Sequence, residues 1–489
     1  MKILFASSEA VPLVKTGGLG DVSGSLPVAL RQLGHDVRLV LPAYPDAVAR
    51  VTDLESLGTL HVPLAPAQVS LLAGLLNGST VPVYLVHAPG LFDRPGNPYL
   101  GPDGRDWADN ALRFAVFCQA ATEIAAGRSG FGWRAELVHA NDWQTGLMAP
   151  LLLQEPERPA TLFTIHNLSY QGTFDRATFD ALDLPPAWWS PDALEFWGAF
   201  SFLKGGIALS DLVTTVSPTY AWEIRQPHLG CGLDGLLNHR ADRLYGILNG
   251  IDYELWDPGS DPAIAQHYGP ESFRLKPRNR TRLQQQMGLE PRSDVMLFGH
   301  VGRLVEQKGV DLILAVLPQL MAEPDTQLVM LGSGDRRLEA KLREAVASYP
   351  GRVATHIGYD EPLSHLVEAG SDCFLMPSRF EPCGLNQLFS LRYGTVPVVH
   401  KTGGLADTVI DATAGNLKAG KATGFVFEHA DPNGLWWAIG RALALWRSPG
   451  AGWEGLAVTG MRQDHSWQAS ARRYEELYAI ARGYAAGAG

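Results

Sequence analysis

Short apolar runs alternate with helical segments along almost the whole chain, and this alternation constrains the fold more than any other feature. Such a pattern reads as parallel strands layered with helices. In a first series, Ile3–Ala6, Val37–Leu41, Val83–Val86, Leu137–His139, Thr161–Ile165 and Leu212–Val216 read as buried strands. Helices fit from about Asp21 to Leu33 and over 106–127, 199–210 and 218–225. Leu244–Asp252 reads as a last strand entering a crossover, and a stretch rich in Asp, Pro and Gly follows it. A second series then places strands at Val295–Val301, Gln327–Leu331, Val353–Ile357, Cys373–Met376 and Val396–Val399. Its helices fit 307–322, 335–348, 384–393 and 432–446. A final helix over 467–484 carries Trp467, Ala471, Tyr474, Leu477, Tyr478 and Ala481 on one face, which must pack on something. The expectation is an α/β fold of two doubly wound domains, 1–250 and 251–461. Ligands in such sheets bind outside the carboxyl ends of the strands, here in an interdomain cleft.

At 489 residues and 46% hydrophobic content, the chain is long enough for two real cores. Its formal charge of −11 argues against nucleic-acid partners, because phosphate backbones want a basic face. Four cysteines, Cys118, Cys231, Cys373 and Cys383, show no Cys-x-x-Cys spacing, so neither a zinc site nor a disulfide framework is indicated. The opening apolar run is too short for a signal peptide, and no run reaches a membrane span. A soluble cytoplasmic chain without membrane partners is expected.

Two motifs in the second series carry the chemistry. Arg303 and Lys308 lie five residues apart in His-Val-Gly-Arg-Leu-Val-Glu-Gln-Lys-Gly, just after a strand. Glu381 follows about seventy residues later in Pro-Ser-Arg-Phe-Glu-Pro-Cys-Gly-Leu, also after a strand. Two cations followed by an isolated carboxylate suit transfer of a sugar from a nucleotide. The cations stabilise the growing charge of a departing diphosphate, and the carboxylate accepts from sugar hydroxyls. Amides near residues 384–386, at a helix start, suit a phosphate or hydroxyl. Cys383 has no His in its motif and reads as packing rather than as a nucleophile.

In the first series, Lys15-Thr-Gly-Gly-Leu-Gly-Asp21 follows the first strand and opens a helix. Its glycines let backbone amides approach a phosphate, although the spacing is neither of the familiar nucleotide-loop patterns. Lys401-Thr-Gly-Gly-Leu-Ala-Asp407 repeats this segment in the second series. Asp142 and His166 end neighbouring strands and are expected to project into the cleft. Each has a plain structural alternative, as helix cap or satisfied histidine. Trp188, Trp189, Trp197 and Tyr170 are candidates for stacking on sugars, though most such aromatics are core residues.

Taken together, these motifs resemble the bacterial glycogen synthases, the ADP-glucose-dependent relatives of plant starch synthase. The resemblance runs nearly end to end, including His-Ala-Asn-Asp-Trp, Thr-Ile-His-Asn-Leu-Ser-Tyr-Gln-Gly, Phe-Ser-Phe-Leu-Lys-Gly-Gly, Thr-Thr-Val-Ser-Pro-Thr-Tyr and Leu-Asn-Gly-Ile-Asp. It implies a GT-B fold of two Rossmann-like domains, with the C-terminal helix over 462–489 crossing back to complete the first. It also implies retaining transfer of glucose from ADP-glucose to the non-reducing 4-hydroxyl of an α-1,4-glucan, with no cofactor or metal. By family pattern, Lys15 contacts the donor, Arg303 and Lys308 hold its phosphates, Glu381 binds glucose hydroxyls and Tyr359 lies near the adenine. Asp142 and His166 lie near the transferring sugar. The resemblance extends donor binding to Gly17, Gly18, Asp21, Asn167, Asn249, Ser378, Cys383, Gly384, Leu385, Asn386, Thr402, Gly403 and Gly404.

The chain departs from the family at Asn141 and Gln144, where His is common, and at Asn386, where Thr is common. Phe389 occupies the position of a second carboxylate found in many retaining GT-B enzymes. Front-face attack is therefore favoured over double displacement. Competing readings are a UDP- or GDP-sugar transferase acting on a small acceptor, a non-catalytic glucan or nucleotide binder, and a phosphorylase. The last lacks a recognisable lysine fingerprint for pyridoxal phosphate.

Overall fold

The computed structural model describes residues 1–450 and 452–487. The chain forms two units, one of Met1–Gly250 with the chain from Trp467 onward, the other of Ile251–Ser466. Among the described residues, the first unit holds a nine-stranded sheet. Its strands run Leu244–Gly246, Leu212–Thr215, Ala160–Ile165, Leu137–Asn141, Lys2–Ala6, Asp36–Pro42, Pro82–His87, Val69–Leu75 and Thr52–Leu60 in spatial order. The first seven are parallel, and the last two add on antiparallel. Ile3, Leu4, Phe5 and Ala6 are all fully buried, as a parallel strand covered on both faces requires.

The antiparallel pair escapes the sequence reading for a physical reason. Thr52–Leu60 is exposed along almost its whole length, so no apolar alternation marks it. Two register shifts break its pairing, a common feature of edge strands. The expected helix over 199–210 also differs. Ala199–Ser201 is a strand of a small antiparallel sheet, and the helix is Phe202–Leu209, capped by Ser201 Oγ accepting from Lys204 N.

The C-terminal helix, Trp467–Gly487, packs on the first unit. Tyr478 Oη lies 2.8 Å from His139 Nδ1, and Ser470 Oγ donates to Leu248 O at 2.7 Å. His139 Nε2 is 2.7 Å from Thr164 Oγ1. This histidine is fully buried, and burial holds its pKa well below the ordinary value.

In the second unit, six parallel strands run Val353–Ile357, Thr326–Gly332, Met296–Val301, Cys373–Met376, Val396–His400 and Phe425–Phe427. Helices Val310–Ala322 and Pro432–Arg447 bury Ile313, Val316, Leu435 and Ile439 on one face. Leu283, Leu363, Leu366 and Leu405 cover the other. Helix Pro277–Met287, which supplies Leu283, has almost no apolar stripe in Pro-Arg-Asn-Arg-Thr-Arg-Leu-Gln-Gln-Gln-Met, so periodicity does not reveal it. Helix Glu361–Gly370 and strand Phe425–Phe427 likewise lie outside the sequence reading.

Both sheets start in the middle and grow first to one side, then to the other. The switch point lies between Lys2–Ala6 and Leu137–Asn141 in the first unit, and between Met296–Val301 and Cys373–Met376 in the second. Crevices outside the strand ends at such points bind ligands. No helix among the described residues is long and apolar enough to cross a membrane.

Candidate active site

At the switch point of the second unit, three loops meet. The loop after Met296–Val301 carries Arg303 and Lys308, the one after Cys373–Met376 carries Ser378 and Glu381, and the one after Val396–His400 carries Thr402 and leads into helix Gly403–Thr408, which opens with Gly403 and Gly404. Lys308 Nζ donates to Glu381 Oε2 at 2.6 Å, and Ser378 Oγ donates to the same oxygen at 2.9 Å. Glu381 is only 5% exposed. A carboxylate so buried needs both partners, because an unpaired buried charge is strongly unfavourable. Arg303 is exposed, and its Nη2 donates to Gln307 Oε1 at 3.1 Å. Gln307 Nε2 in turn donates to Phe380 O at 3.0 Å, which ties the cation loop to the carboxylate loop.

Backbone crowding fixes these loops. A Cβ on Gly309 would stand 2.2 Å from Pro377 O. On Gly403, at φ +43°, it would stand 1.9 Å from Glu381 O, and on Gly404 it would stand 2.1 Å from Cys383 O. Gly404 N donates to Glu381 O at 3.1 Å. The glycines of this segment thus serve to press one loop onto another.

Helix Asn386–Tyr393 begins beside Glu381, after Gly384 at φ +75° and Leu385 at its N-cap. No side chain caps that end. The Asn386 amide donates to Val301 O, so this side chain joins the helix start to the central strand. Cys383 is buried and forms no disulfide. Phe389 stacks on Trp256 at 3.7 Å between ring centroids, with His365 stacked on Trp256 at the same distance. Tyr359 is 77% exposed beyond strand Val353–Ile357, its hydroxyl 3.2 Å from Glu361 Oε2.

The first unit has its own cluster at its switch point. Asp142 follows Leu137–Asn141 with φ +56°, a conformation that costs a non-glycine residue energy. Its Oδ1 accepts from His166 N at 2.7 Å. Asp142 is 8% exposed, and burial pushes its pKa up to about 7. His166 Nε2 faces Asn141 Oδ1 at 2.9 Å, while Asn141 Nδ2 donates to Ala6 O at 3.0 Å. The amide orientation makes His166 Nε2 the protonated nitrogen of a neutral ring. Burial lowers the His166 pKa to about 3. Rather than simply projecting outward, Asp142 and His166 lock two strand ends together. Asn167 follows on the same loop, and the Oδ1 of buried Asn249 has no hydrogen-bond partner among the described residues.

The Lys15–Asp21 loop is shaped by a residue that the motifs did not single out. Buried Glu9 accepts from Thr16 N at 2.5 Å and Gly17 N at 3.0 Å, and also from Thr16 Oγ1 and Tyr99 Oη. The only sequence signal is an acid at the exit of an apolar strand. Lys15 Nζ pairs with Asp21 Oδ1 at 2.7 Å on the surface, where such pairs are weak. Gly17 and Gly18 are exposed, have no left-handed φ, and would carry a Cβ with nothing within 4 Å.

Comparison with known proteins settles the relationship. Residues 2–239 match the family described as the starch synthase catalytic domain, and residues 281–449 match the glycosyl transferases group 1. Glycogen synthase 1 of Methylococcus capsulatus is 55% identical over 478 residues, covering 98% of this chain and 96% of that protein. The chain belongs to the glycogen and starch synthase family. Glycogen synthase of Thioalkalivibrio sulfidiphilus is likewise 55% identical, over 98% and 99% of the two chains. The catalytic domain of starch synthase IV from Arabidopsis thaliana, solved bound to ADP and acarbose, superposes with a TM-score of 0.88. It is 33% identical over 99% of both chains. The fold is GT-B, a reading that sucrose-phosphate synthase of Thermosynechococcus elongatus shares at TM-score 0.61 and 20% identity.

Proposed function

We propose that this chain, a glucan-synthesising glycosyltransferase by family, moves glucose from ADP-glucose to the non-reducing 4-hydroxyl of an α-1,4-glucan and releases ADP. The observation that carries the reading is the Lys308–Glu381–Ser378 cluster at the switch point of the second unit. Lys308 leaves Glu381 for the donor diphosphate, joined by Arg303 and by amides of Gly384, Leu385 and Asn386. Glu381, held by Ser378, then accepts from glucose hydroxyls. Thr402, Gly403 and Gly404 shape the floor of this site, Cys383 packs beneath it, and Tyr359 lies by the adenine. The first unit contributes Lys15, Gly17, Gly18 and Asp21 to the donor. Asp142, His166, Asn167 and Asn249 take positions near the transferring sugar.

Fixed cations act where charge develops, on the leaving diphosphate. The C1–O bond to phosphate breaks, the C1–O4 bond to the acceptor forms, and the acceptor proton passes to the departing phosphate oxygen. Retention follows from attack on the face the phosphate leaves. Phe389, packed on Trp256, offers no second carboxylate for a covalent intermediate. Trapping a glucosyl–enzyme adduct would refute this route. The neutral His166 serves as hydrogen-bond partner rather than as a cation.

The test is transfer of labelled glucose from ADP-glucose and UDP-glucose into glycogen, with and without EDTA. Incorporation mainly from ADP-glucose, unchanged by chelation, supports the reading. Incorporation only from another sugar nucleotide, or activity lost to EDTA and restored by magnesium, overturns the donor or metal-free assignment. The same reading expects a cytoplasmic enzyme, checked by fractionating cells that make it.

A further inference from the structure

The chain between Ile251 and Gly269 is the first stretch of the second unit, and no step of the proposed transfer uses it. It holds no helix or strand. A stretch without a regular hydrogen-bond ladder takes much of its order from the side chains it docks. Most of these dock on one short helix, Asn386–Tyr393, which starts just after the Glu381 loop.

Trp256 lies flat between two rings. Phe389 of that helix and His365 of helix Glu361–Gly370 stack on its two neighbouring positions at interplanar angles of 10° and 12°. Asp257 pairs with Arg392 at 3.1 Å, and the Arg392 guanidinium stands 4.4 Å from the centre of the Tyr253 ring. Asp261 Oδ2 accepts from Tyr393 Oη at 2.5 Å and from His365 Nδ1 at 2.8 Å. Asp261, His365 and Tyr393 are all buried.

These contacts grip one end of the helix. Phe389, Arg392 and Tyr393 lie in its second half, and Gly394 closes it with φ +63°. The other end has no side-chain cap. An eight-residue helix is a stiff rod about 12 Å long. Whatever fixes its far end therefore also aims the amides at its start. Those amides carry the positive end of the helix dipole and suit a donor phosphate. Position 389 sharpens the point, because a ring there packs on Trp256 where many retaining GT-B enzymes carry a carboxylate.

We infer that Trp256 is a positioning residue for the donor. Docking of 253–261 on the helix sets the aim of the amides at 384–386, and a donor held by those amides in turn orders 253–261. The inference rests on the proposed function and deepens it. Reciprocity is required by linkage: if order in the segment raises donor affinity, the donor raises that order by the same factor. Packing that serves stability alone carries no such link to a ligand.

Amide hydrogen exchange of the full wild-type chain with and without ADP reads the link. ADP should slow exchange at 381–387 and also at 253–261. Slowing at 381–387 with 253–261 unchanged overturns the inference and leaves the functional reading standing. No slowing in either segment removes both. This arm needs no variant and decides the matter even if Trp256→Leu does not fold. Trp256→Leu should raise the KM for ADP-glucose about tenfold, or ~1.4 kcal/mol, with the KM for glycogen within about twofold. It should also abolish the effect of ADP on 253–261. Trp256→Phe still stacks and should restore most of the wild-type KM. A wild-type KM for ADP-glucose in Trp256→Leu overturns the inference. So does a rise shared equally by ADP-glucose and glycogen, which general loosening would give.

Discussion

The same five residues, Lys-Thr-Gly-Gly-Leu, open a helix in each unit, at 15–19 and 401–405, and the structure uses them in opposite ways. At 401–405 the glycines are pressed against the carbonyls of Glu381 and Cys383, so the backbone itself demands glycine. At 15–19 Gly17 and Gly18 lie in open space with unstrained φ, and the loop is held instead by Glu9 accepting from its amides. One copy supports the Glu381 loop. The other leaves room for a ligand backbone-close. A shared motif therefore specifies a loop–helix geometry, while the neighbours decide whether its glycines are crowded or open.

Six substitutions probe this comparison, from the largest effect down. Gly403→Ala should destabilise the second unit by ~3 kcal/mol or more, because a Cβ meets a carbonyl at a strained φ. Calorimetry should show that unit unfolding early, whereas Gly17→Ala leaves the trace within ~1 kcal/mol. A mild Gly403→Ala effect would remove the crowding argument. Next, Lys308→Gln and Glu381→Gln should each lower turnover by about 10²–10³-fold, the scale of losing a fixed transition-state donor. Lys308→Gln should also cost about 3 kcal/mol in stability, since it strands a buried carboxylate. The burial of Glu381 is what makes Lys308 matter for folding as well as for turnover.

Gly18→Ala sits on the other side of the comparison. As the first residue of its helix it should gain a few tenths of a kcal/mol in stability. Its KM for ADP-glucose should nevertheless rise about tenfold, the loss of ~1.4 kcal/mol of close contact. An unchanged KM would leave these glycines without a ligand role. The smallest effect concerns pH. The folded-state pKa of Asp142 is raised to about 7, so its stability contribution is fully present below the ordinary carboxylate range and is lost as pH rises to about 7. Thermal midpoints of Asp142→Asn relative to wild type should therefore improve between pH 4 and pH 8. His166, held neutral down to about pH 3, should contribute no activity limb near pH 6.5.

The parallel core was legible because strands buried on both faces are continuous apolar runs. Ile3–Ala6 and Cys373–Met376 read correctly for that reason. Thr52–Leu60 and Pro277–Met287 were not legible, since one strand faces water and one helix buries little more than Leu283 of its apolar side chains. Lys308, Ser378 and Glu381 were legible as motifs, and the structure brings them onto one carboxylate oxygen. Glu9 and Asn141 were not, because each acts by hydrogen-bonding residues that only the fold brings near. Trp197 was visible as an aromatic, but its positive φ is a property of the hairpin and is invisible in the residue itself.

If the switch point of the second unit binds the donor nucleotide, its loops must respond to ADP. Amide hydrogen exchange of the full chain with and without ADP tests it most directly. ADP should slow exchange in 302–309, 381–387 and 402–405, the three segments that converge on Lys308 and Glu381. Binding of ADP that leaves all three segments exchanging at their unliganded rates would contradict it.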